Sequence, residues 1–264
     1  MPRVHPVAEA GFGAAAALYE RARPSYPREA VEWAVERCGL GAGATIVDVG
    51  AGTGKLTRLL VPSGARVVAV EPVAEMRATL VATTPGAEAL DGTAESLPLD
   101  AESADAVTVA QALHWFDLDR ALPELHRVLK PGGRLALFWN MRDLDDPIQR
   151  GVEDLLAPRR NFVIGQQEGR WRAPLAESQL FGEPEVAEFR YEQRFTADDL
   201  CDRVASTSFV AAMRPVDREE LLVQIRALTH GVDEPFPFPY VTEVHLIPRT
   251  SDAARGGRGT SIEG

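Results

Sequence analysis

The sequence has few cysteines and no long apolar run. Its 264 residues include two cysteines, Cys38 and Cys201, which lie far apart and lack the spacing of metal ligands. We therefore expect two reduced thiols, no metal site and a cytoplasmic location. No apolar run approaches the length of a membrane-spanning helix, and the first residues show no signal-peptide pattern. The sequence predicts a protein that does not use a membrane.

Positive charge is also scarce. The net charge is −11, and no basic run interrupts the acidic surface that this value implies. Such a surface repels phosphate backbones and anionic lipids, so we expect no nucleic-acid partner. Hydrophobic residues make up 45% of the chain, which supports a full core and argues against disorder.

The most informative stretch is a glycine-rich turn after a short apolar run. Thr45–Val49 is typical of a buried parallel strand, and Gly50, Gly52 and Gly54 follow it at every second position. A second apolar run, 67–70, ends at Glu71. A carboxylate at the tip of the second strand can accept hydrogen bonds from both hydroxyls of a ribose. The two features together indicate a cofactor that contains a nucleoside.

The glycine spacing narrows the choice of cofactor. A dinucleotide site uses G-x-G-x-x-G, whereas this turn reads G-x-G-x-G and is preceded by Asp48. An acidic group at this point repels a pyrophosphate and attracts an ammonium. An NAD-dependent oxidoreductase, the main alternative, also needs a proton donor such as a Tyr-x-x-x-Lys pair, which the sequence lacks.

These motifs resemble those of the class I S-adenosylmethionine-dependent methyltransferases. Three further segments share the resemblance: 91–98 is similar to the adenine-binding loop, 105–108 to the opening of strand four, and 129–133 to the turn before strand five. The similarity covers about residues 15–140. Within the class, 19–27 and 111–116 are closest to small-molecule enzymes of the trans-aconitate methyltransferase type.

The resemblance implies S-adenosylmethionine as cofactor and assigns its contacts. Asp48 would hold the amino group of the methionine part, Glu71 the ribose, and 93–95 the purine, while Tyr19 and Arg23 would lie near the methionine end. The full set of implied cofactor positions is Tyr19, Arg23, Asp48, Gly50, Ala51, Gly52, Thr53, Glu71, Pro72, Met76, Thr93, Ala94, Glu95, Gln111 and Ala112.

His114 is the histidine placed closest to the expected chemistry, at the exit of strand four. It can act as a general base, or it can be a packing or helix-capping residue beside Trp115, and both alternatives stay open. The exit sequence Gln-Ala-Leu-His-Trp-Phe also lacks the Asn/Asp-Pro-Pro-aromatic motif of enzymes that methylate base amino groups or glutamine. We expect the acceptor pocket to be lined by His114, Trp115, Trp139, Asn140, Trp171 and Phe209.

The order of elements predicts an α/β fold. Regular βαβ alternation up to residue 140 predicts a Rossmann-like, doubly wound sheet with helices on both faces. We expect seven mostly parallel strands with the last antiparallel, in one domain over 1–250. It would comprise an N-terminal helical cap (1–40), a cofactor-binding core (41–140) and a segment with helical inserts and closing strands (141–250), before a disordered tail (251–264).

Some local features are also predicted. Helices are expected at 7–22, at 27–38 with Ser25 as cap, at 196–206 and at 217–228. Strand five is expected at 134–140 and the last strand at 240–247, after a rigid Pro-Phe-Pro lead-in. No strand is expected in 141–182.

The predicted function is methyl transfer from S-adenosylmethionine to a small-molecule acceptor of carboxylic-acid or secondary-metabolite type, at oxygen or carbon. The alternative is a protein of the same fold that binds the cofactor without methyl transfer, as a sensor or as a catalyst of cyclisation or rearrangement. The sequence leaves open the identity of the acceptor and whether the protein is a monomer or a homodimer.

Overall fold

A computed structural model of the chain describes residues 16–159 and 171–251. The predictions for 7–15 and for the tail at 252–264 therefore lie outside the described residues. A seven-stranded sheet forms the centre, in the order β3-β2-β1-β4-β5-β7-β6. Its strands are β1 (Thr45–Val49), β2 (Arg66–Val70), β3 (Ala87–Leu90), β4 (Ala104–Ala110), β5 (Leu129–Arg142), β6 (Glu185–Phe195) and β7 (Phe236–Pro248).

The predicted Rossmann-like sheet is confirmed. Strands β1 to β5 pair in parallel, while β7 runs antiparallel to both β5 and β6. Parallel strands place their carboxyl ends at one edge of the sheet, where ligands of this architecture bind. In the neighbouring strands β1 and β4, Asp48 and Thr108 lie side by side in register. Their side chains are therefore close enough to form a hydrogen bond.

Helices cover both faces of the sheet, as predicted. They are α1 (Ala16–Ala22), α2 (Arg28–Arg37), α3 (Thr57–Leu60), α4 (Ala74–Thr83), α5 (Leu118–Val128), α6 (Pro147–Leu156), α7 (Arg172–Glu177), α8 (Ala197–Ala205), α9 (Ser208–Ala211) and α10 (Pro215–Ala227). Alternate strand residues serve opposite faces: Ile46 packs with α2 and α3, whereas Val47 and Val49 pack with α5. None of the described helices is long and apolar enough to cross a membrane.

A third apolar core lies between β7 and the helices α8, α9 and α10, which we call the late helices. Leu200 and Val204 of α8 and Ile225 of α10 pack with Phe236 and Phe238 of β7. The Thr196 hydroxyl and the Asp199 carboxylate form a capping box at the start of α8, which fixes where the helix begins. The predicted helical insert before the last strand is therefore present, and it buries an apolar face of its own.

Two element boundaries differ from the predictions. Strand β7 begins at Phe236 and includes the Pro-Phe-Pro segment, which pairs with β6 alone because β5 pairs only from Tyr240 onward. Proline is tolerated where one side of a strand has no partner. Strand β5 begins at Leu129, which pairs with Ala104, so the Pro-Gly-Gly turn lies inside an irregular strand start.

Two local predictions were wrong or incomplete. Ser25 does not cap α2, whose N-cap is Pro27 with no side-chain hydrogen bond. The backbone carbonyl oxygen of Ser25 instead accepts hydrogen bonds from Asn140 and Tyr191. No strand was expected in 141–182, but β5 continues to Arg142 because Met141 and Arg142 pair with β7. The described part of the segment also contains α6 and α7, and the Asp146 side chain caps α6 by accepting from Gln149 N at 2.8 Å.

Candidate functional site

A cleft opens at the carboxyl ends of β1, β2 and β4. It has two lobes, which we name after the acidic residue in each. The Glu71 lobe is lined by Tyr19, Gly50, Gly52, Glu71, Pro72, Val73, Met76, Gly92, Thr93, Ala94, Glu95, Ala110, Gln111, Ala112, Trp115 and Phe116. The Asp48 lobe extends toward β5 and the late helices, and its polar and aromatic lining includes Arg23, Tyr26, Asp48, Lys55, His114, Trp139, Asn140, Arg142, Trp171, Arg203, Ser208 and Tyr240.

The two lobes are parts of one cleft. They share a boundary of Tyr19, Gly50, Gly52, Ala110, Gln111 and Trp115. The two predicted carboxylates therefore face adjoining spaces rather than a single one. A ligand that touches both must lie across this shared boundary.

The glycine turn after β1 builds the floor of the boundary. Gly50 and Gly52 have φ angles of 68° and 58°, a left-handed conformation that side chains with a Cβ rarely adopt. A Cβ on Gly50 would lie 2.8 Å from the Cβ of Ala112, so glycine is required there for packing as well. A Cβ on Gly52 would meet only the Met76 sulfur, at 3.8 Å, which leaves its backbone open to a ligand.

Glu71 is held at the tip of β2 by backbone amides. Its Oε2 accepts from Gly52 N at 2.8 Å and its Oε1 accepts from Val73 N at 2.9 Å. The side chain is buried, and this burial raises the pKa of Glu71 while the two amides oppose the rise. Each oxygen keeps a further lone pair for an incoming donor.

Asp48 is buried, and two threonine hydroxyls donate to its carboxylate. Thr57 donates to its Oδ2 at 2.6 Å, and Thr108, its register partner on β4, donates to its Oδ1 at 2.8 Å. Burial raises the pKa of Asp48 to about 6, although both hydroxyls favour the charged form. The carboxylate is thus ionised near neutral pH and fixed in orientation at the floor of its lobe.

The predicted cofactor positions all line this cleft, and their binding roles stay predictions. Among them, Thr93 has a buried hydroxyl for which the described part of the chain supplies no partner, and Glu95 accepts from the Asp117 amide at 3.0 Å, at the start of α5. Ala51, Thr53, Arg23 and Asp48 line the Asp48 lobe only, while Pro72, Met76, Thr93, Ala94, Glu95, Glu71 and Ala112 line the Glu71 lobe only.

Helix α1 brings Tyr19 and Arg23 over the cleft. Lys55 donates to the carbonyl of Glu20 at 2.6 Å, and Arg23 donates to the carbonyl of Ser206 at 2.8 Å. The Arg23 guanidinium lies 5.2 Å from the centroid of the Tyr19 ring. The helix therefore bridges the glycine turn on one side and α8 on the other.

An aromatic group surrounds His114 in the Asp48 lobe. Its ring centroid lies 5.0 Å from that of Trp115 and 5.7 Å from that of Trp139, and Trp139 stacks on Trp171 at 5.7 Å. Burial, with a smaller contribution from the Arg23 charge, lowers the pKa of His114 to about 4. The imidazole is therefore neutral at physiological pH.

Two expected pocket residues have a different position or use. Phe209 does not line the cleft, because it is buried in the core under the late helices. Asn140 lines the Asp48 lobe, but its amide is already occupied: Nδ2 donates to the Ser25 carbonyl at 2.8 Å and Oδ1 accepts from Thr242 at 2.6 Å. Asn140 thus ties the segment after α1 to the sheet.

Sequence reasoning missed several residues of the Asp48 lobe. Arg142 follows the end of the predicted strand five, Arg203 lies on α8, and Tyr240 lies on β7. They meet only because the late helices fold back over the sheet, and no local motif marks them. Residue type gives no signal either, because arginines occur along the whole chain and nothing in the sequence shows which of them face a pocket.

No metal site accompanies these residues. Within 16–159 and 171–251, no three His, Cys, Asp or Glu side chains are grouped as metal ligands. The two cysteines are free thiols, and burial raises the pKa of Cys38 to about 11.

Comparison with known proteins gives consistent matches. Residues 47–137 match the family described as a methyltransferase domain. An uncharacterized methyltransferase of Mycobacterium tuberculosis is 42% identical over 242 residues, which cover 88% of this chain and 92% of the relative. An uncharacterized methyltransferase of Schizosaccharomyces pombe is 34% identical over 203 residues, covering 76% and 80%. A solved structure from Anaeromyxobacter dehalogenans, assigned as a type II methyltransferase, superposes with a TM-score of 0.67 at 27% identity and covers 86% of this chain and 97% of its own.

Proposed function

The chain belongs to the methyltransferases with the class I fold, and we propose that it transfers a methyl group from S-adenosylmethionine to a small-molecule acceptor. The acceptor is proposed to be a carboxylic acid or a secondary metabolite, methylated at oxygen or carbon. The observation that carries the proposal is the cleft itself, in which Glu71 and Asp48 line adjoining lobes on either side of an open glycine turn.

The residues of the Glu71 lobe fit an adenosyl group. Glu71 has lone pairs left for the two ribose hydroxyls. The buried Thr93 hydroxyl has no partner among the residues that the structure describes, and a purine nitrogen could be that partner. Pro72, Met76 and Ala94 add apolar surface against which a flat base can pack. The backbone of Gly52 leaves room for close approach.

The shared boundary fits the methionine part. In this arrangement Asp48 attracts the ammonium, and Arg23 beside Tyr19 attracts the carboxylate. The bound cofactor supplies an electrophilic methyl group on a sulfonium, and its leaving group is a neutral thioether that needs no proton. The protein therefore has to hold the acceptor in line with that methyl group, and such positioning can supply roughly 7–11 kcal/mol.

Proton transfer is the smaller part of this chemistry. With a pKa of about 4, His114 is neutral but weakly basic, so it is better suited to orient an acceptor that is already ionised than to deprotonate an alcohol. A carboxylate acceptor needs no base. The tryptophans around His114 exclude water from the reacting atoms and offer a flat apolar surface.

Calorimetry and a transfer assay test this function. We expect S-adenosylmethionine and its product, S-adenosylhomocysteine, to bind in preference to NAD. We also expect a mass gain of one methyl group in at least one member of a panel of small acids and phenolic or indolic metabolites incubated with methyl-labelled cofactor. Preferential NAD binding would contradict the cofactor assignment. Tight cofactor binding without transfer to any panel member or to a cell extract would favour the non-transferring alternative.

A further inference from the structure

Positive charge dominates the Asp48 lobe, although the protein as a whole carries a net charge of −11. Four cationic side chains line this lobe, and one carboxylate does. The carboxylate is Asp48, which already accepts two threonine hydrogen bonds. The cations are Arg23, Lys55, Arg142 and Arg203.

Two of the four cations are neutralised by protein. Lys55 lies 3.8 Å from a carboxylate oxygen of Glu20, and Arg142 lies 2.6 Å from one of Glu153. Among the described residues, Arg23 and Arg203 make no such ion pair: Arg23 donates to the Ser206 carbonyl, and Arg203 donates to two hydroxyls. The lobe therefore contains two guanidinium groups whose counter-ions the described protein does not supply.

The guanidinium groups are close enough to act on one another. Burial, together with the charges of Arg203 and Arg142, lowers the pKa of Arg23 to about 10. Gathering like charges in a partly buried space is unfavourable unless a ligand compensates them. Two buried donors support this, since Arg23 Nε and Trp139 Nε1 have no acceptor among the described residues.

One of these guanidinium groups is accounted for by the proposed cofactor. Arg23 lies against Tyr19, which lines both lobes, so it is placed for the methionine carboxylate at the boundary. Arg203 lies on α8 and lines the Asp48 lobe only. Its Nε donates to the Tyr240 hydroxyl at 3.2 Å and its Nη1 to Thr207 at 3.4 Å, contacts that orient the group while Nη2 has no partner among the described atoms.

We infer that Arg203 determines acceptor specificity by binding a carboxylate of the acceptor, separate from the carboxylate of the cofactor. The inference rests on the proposed methyl transfer and adds the charge of the substrate to it. The sulfonium brings one more positive charge to the same space, which further favours an anionic acceptor. An amide or ester of the same acceptor loses the charged hydrogen bonds to Arg203 and is excluded.

The charge of the acceptor can be tested without knowing its identity. Small molecules extracted from cells of the source organism are separated at pH 8 into a fraction that an anion exchanger retains and a fraction that passes through. Each fraction is incubated with the protein and methyl-labelled S-adenosylmethionine. We expect label in products of the retained fraction, with an accurate mass that fits a carboxylic acid. Label confined to the flow-through would overturn the inference, whereas no label in either fraction would contradict the proposed function.

A variant then assigns the recognition to Arg203. For Arg203→Gln we expect the KM for the labelled acceptor to rise at least tenfold, while kcat and the affinity for S-adenosylhomocysteine stay within about twofold of wild type. Arg203→Lys should restore part of the loss. The control is Arg226→Gln, which removes an exposed ion pair with Asp198 of α8, the helix that carries Arg203, and Arg226 lines neither lobe. An unchanged KM in Arg203→Gln, with retained cofactor binding, would assign Arg203 to packing.

Discussion

The Tyr191 hydroxyl on β6 donates a 2.6 Å hydrogen bond to the backbone carbonyl of Ser25, 166 residues earlier in the chain. The same carbonyl accepts from Asn140 on β5. Strands β5 and β6 thus hold the segment that follows Arg23. The position of α1 over the cleft depends on contacts that form only when the sheet is complete.

Replacing Tyr191 by Phe removes one of these bonds and keeps the ring. We expect a loss of about 1 kcal/mol in unfolding free energy and a severalfold weaker affinity for S-adenosylhomocysteine, because Tyr19 and Arg23 become less well held. Urea unfolding and calorimetry measure the two effects. Glu192→Gln, on the exposed side of the same strand, is the control. Unchanged cofactor affinity in Tyr191→Phe would show that Asn140 alone holds the segment.

Glu71→Ala removes the carboxylate proposed to bind ribose. Charged hydrogen bonds contribute about 1.5–3 kcal/mol each, so we expect a roughly ten- to hundredfold loss of cofactor affinity by calorimetry. Glu71→Gln separates charge from shape, because its amide oxygen can still accept from the Gly52 or Val73 amide. Glu75→Ala, at an exposed position on α4, is the control. Wild-type affinity in Glu71→Ala would remove this residue from the ribose site.

Gly50→Ala tests the packing of the turn. The new Cβ would meet Ala112 at 2.8 Å in addition to the left-handed backbone. Gly132→Ala is the matched control, because Gly132 has a φ of 82° with nothing within 4 Å of a Cβ. We expect Gly132→Ala to cost about 1–2 kcal/mol from backbone strain alone, and Gly50→Ala a further 1–3 kcal/mol from crowding. Equal unfolding free energies for the two variants would contradict this.

Asp48 predicts a pH dependence of stability. Its folded-state pKa of about 6 lies above the value of about 3.9 in an unfolded chain, so the folded protein binds this proton more tightly. The contribution of Asp48 to unfolding free energy is therefore greatest below about pH 4, declines as the pH rises toward 6 and is constant above it, with a total of up to about 3 kcal/mol. Urea unfolding of wild type against Asp48→Asn between pH 4 and 7 isolates it. A flat difference would show that Asp48 is not desolvated.

The same residue predicts how cofactor binding responds to acid. If ionised Asp48 holds the ammonium, affinity falls as the pH drops below about 6, because protonation removes the attraction. Calorimetry with S-adenosylhomocysteine from pH 5 to 8 should show this fall in wild type and a much weaker one in Asp48→Asn. Parallel curves for the two proteins would assign Asp48 a purely structural role.

His114→Ala is expected to lower turnover more than cofactor affinity, since the side chain lines the Asp48 lobe and not the Glu71 lobe. Because the pKa of His114 is lowered to about 4, kcat should show no histidine inflection between pH 5.5 and 8. His114→Phe keeps the packing against Trp115 and Trp139 and serves as the control. Full turnover by His114→Phe together with reduced turnover by His114→Ala would assign His114 to packing, and full turnover by both would remove it from the reaction.

The sequence predicted best where function is encoded locally. The strand-turn geometry at Gly50 and the position of Glu71 follow from residues close together in the chain, and the motif spacing located both. The last strand was predicted from its apolar run, but its antiparallel orientation was expected only from the resemblance to the methyltransferase class, because pairing with β5 and β6 is a long-range contact.

The Asp48 lobe was harder to predict because it depends on long-range packing. Arg203 and Tyr240 reach it only through the core beneath α8 and α10, which no periodicity reveals. Phe209 was misplaced for the same reason: an aromatic residue in a helical insert can face the pocket or the core, and here Ser208 beside it lines the lobe. Ser25 looked like a helix cap because of its residue type, whereas its backbone carbonyl makes the contacts.

The lining of the two lobes divides along the chain. Every residue that lines the Glu71 lobe lies between Tyr19 and Phe116, whereas the Asp48 lobe is also lined by residues between positions 139 and 240. The positions proposed for donor binding therefore lie in the first half of the chain, whereas those proposed for acceptor choice come largely from the second. A chimera that joins residues 1–142 of this chain to the later half of a relative, with the Tyr191 hydroxyl kept because it holds Ser25, should keep its methyl donor and acquire the other enzyme's selectivity.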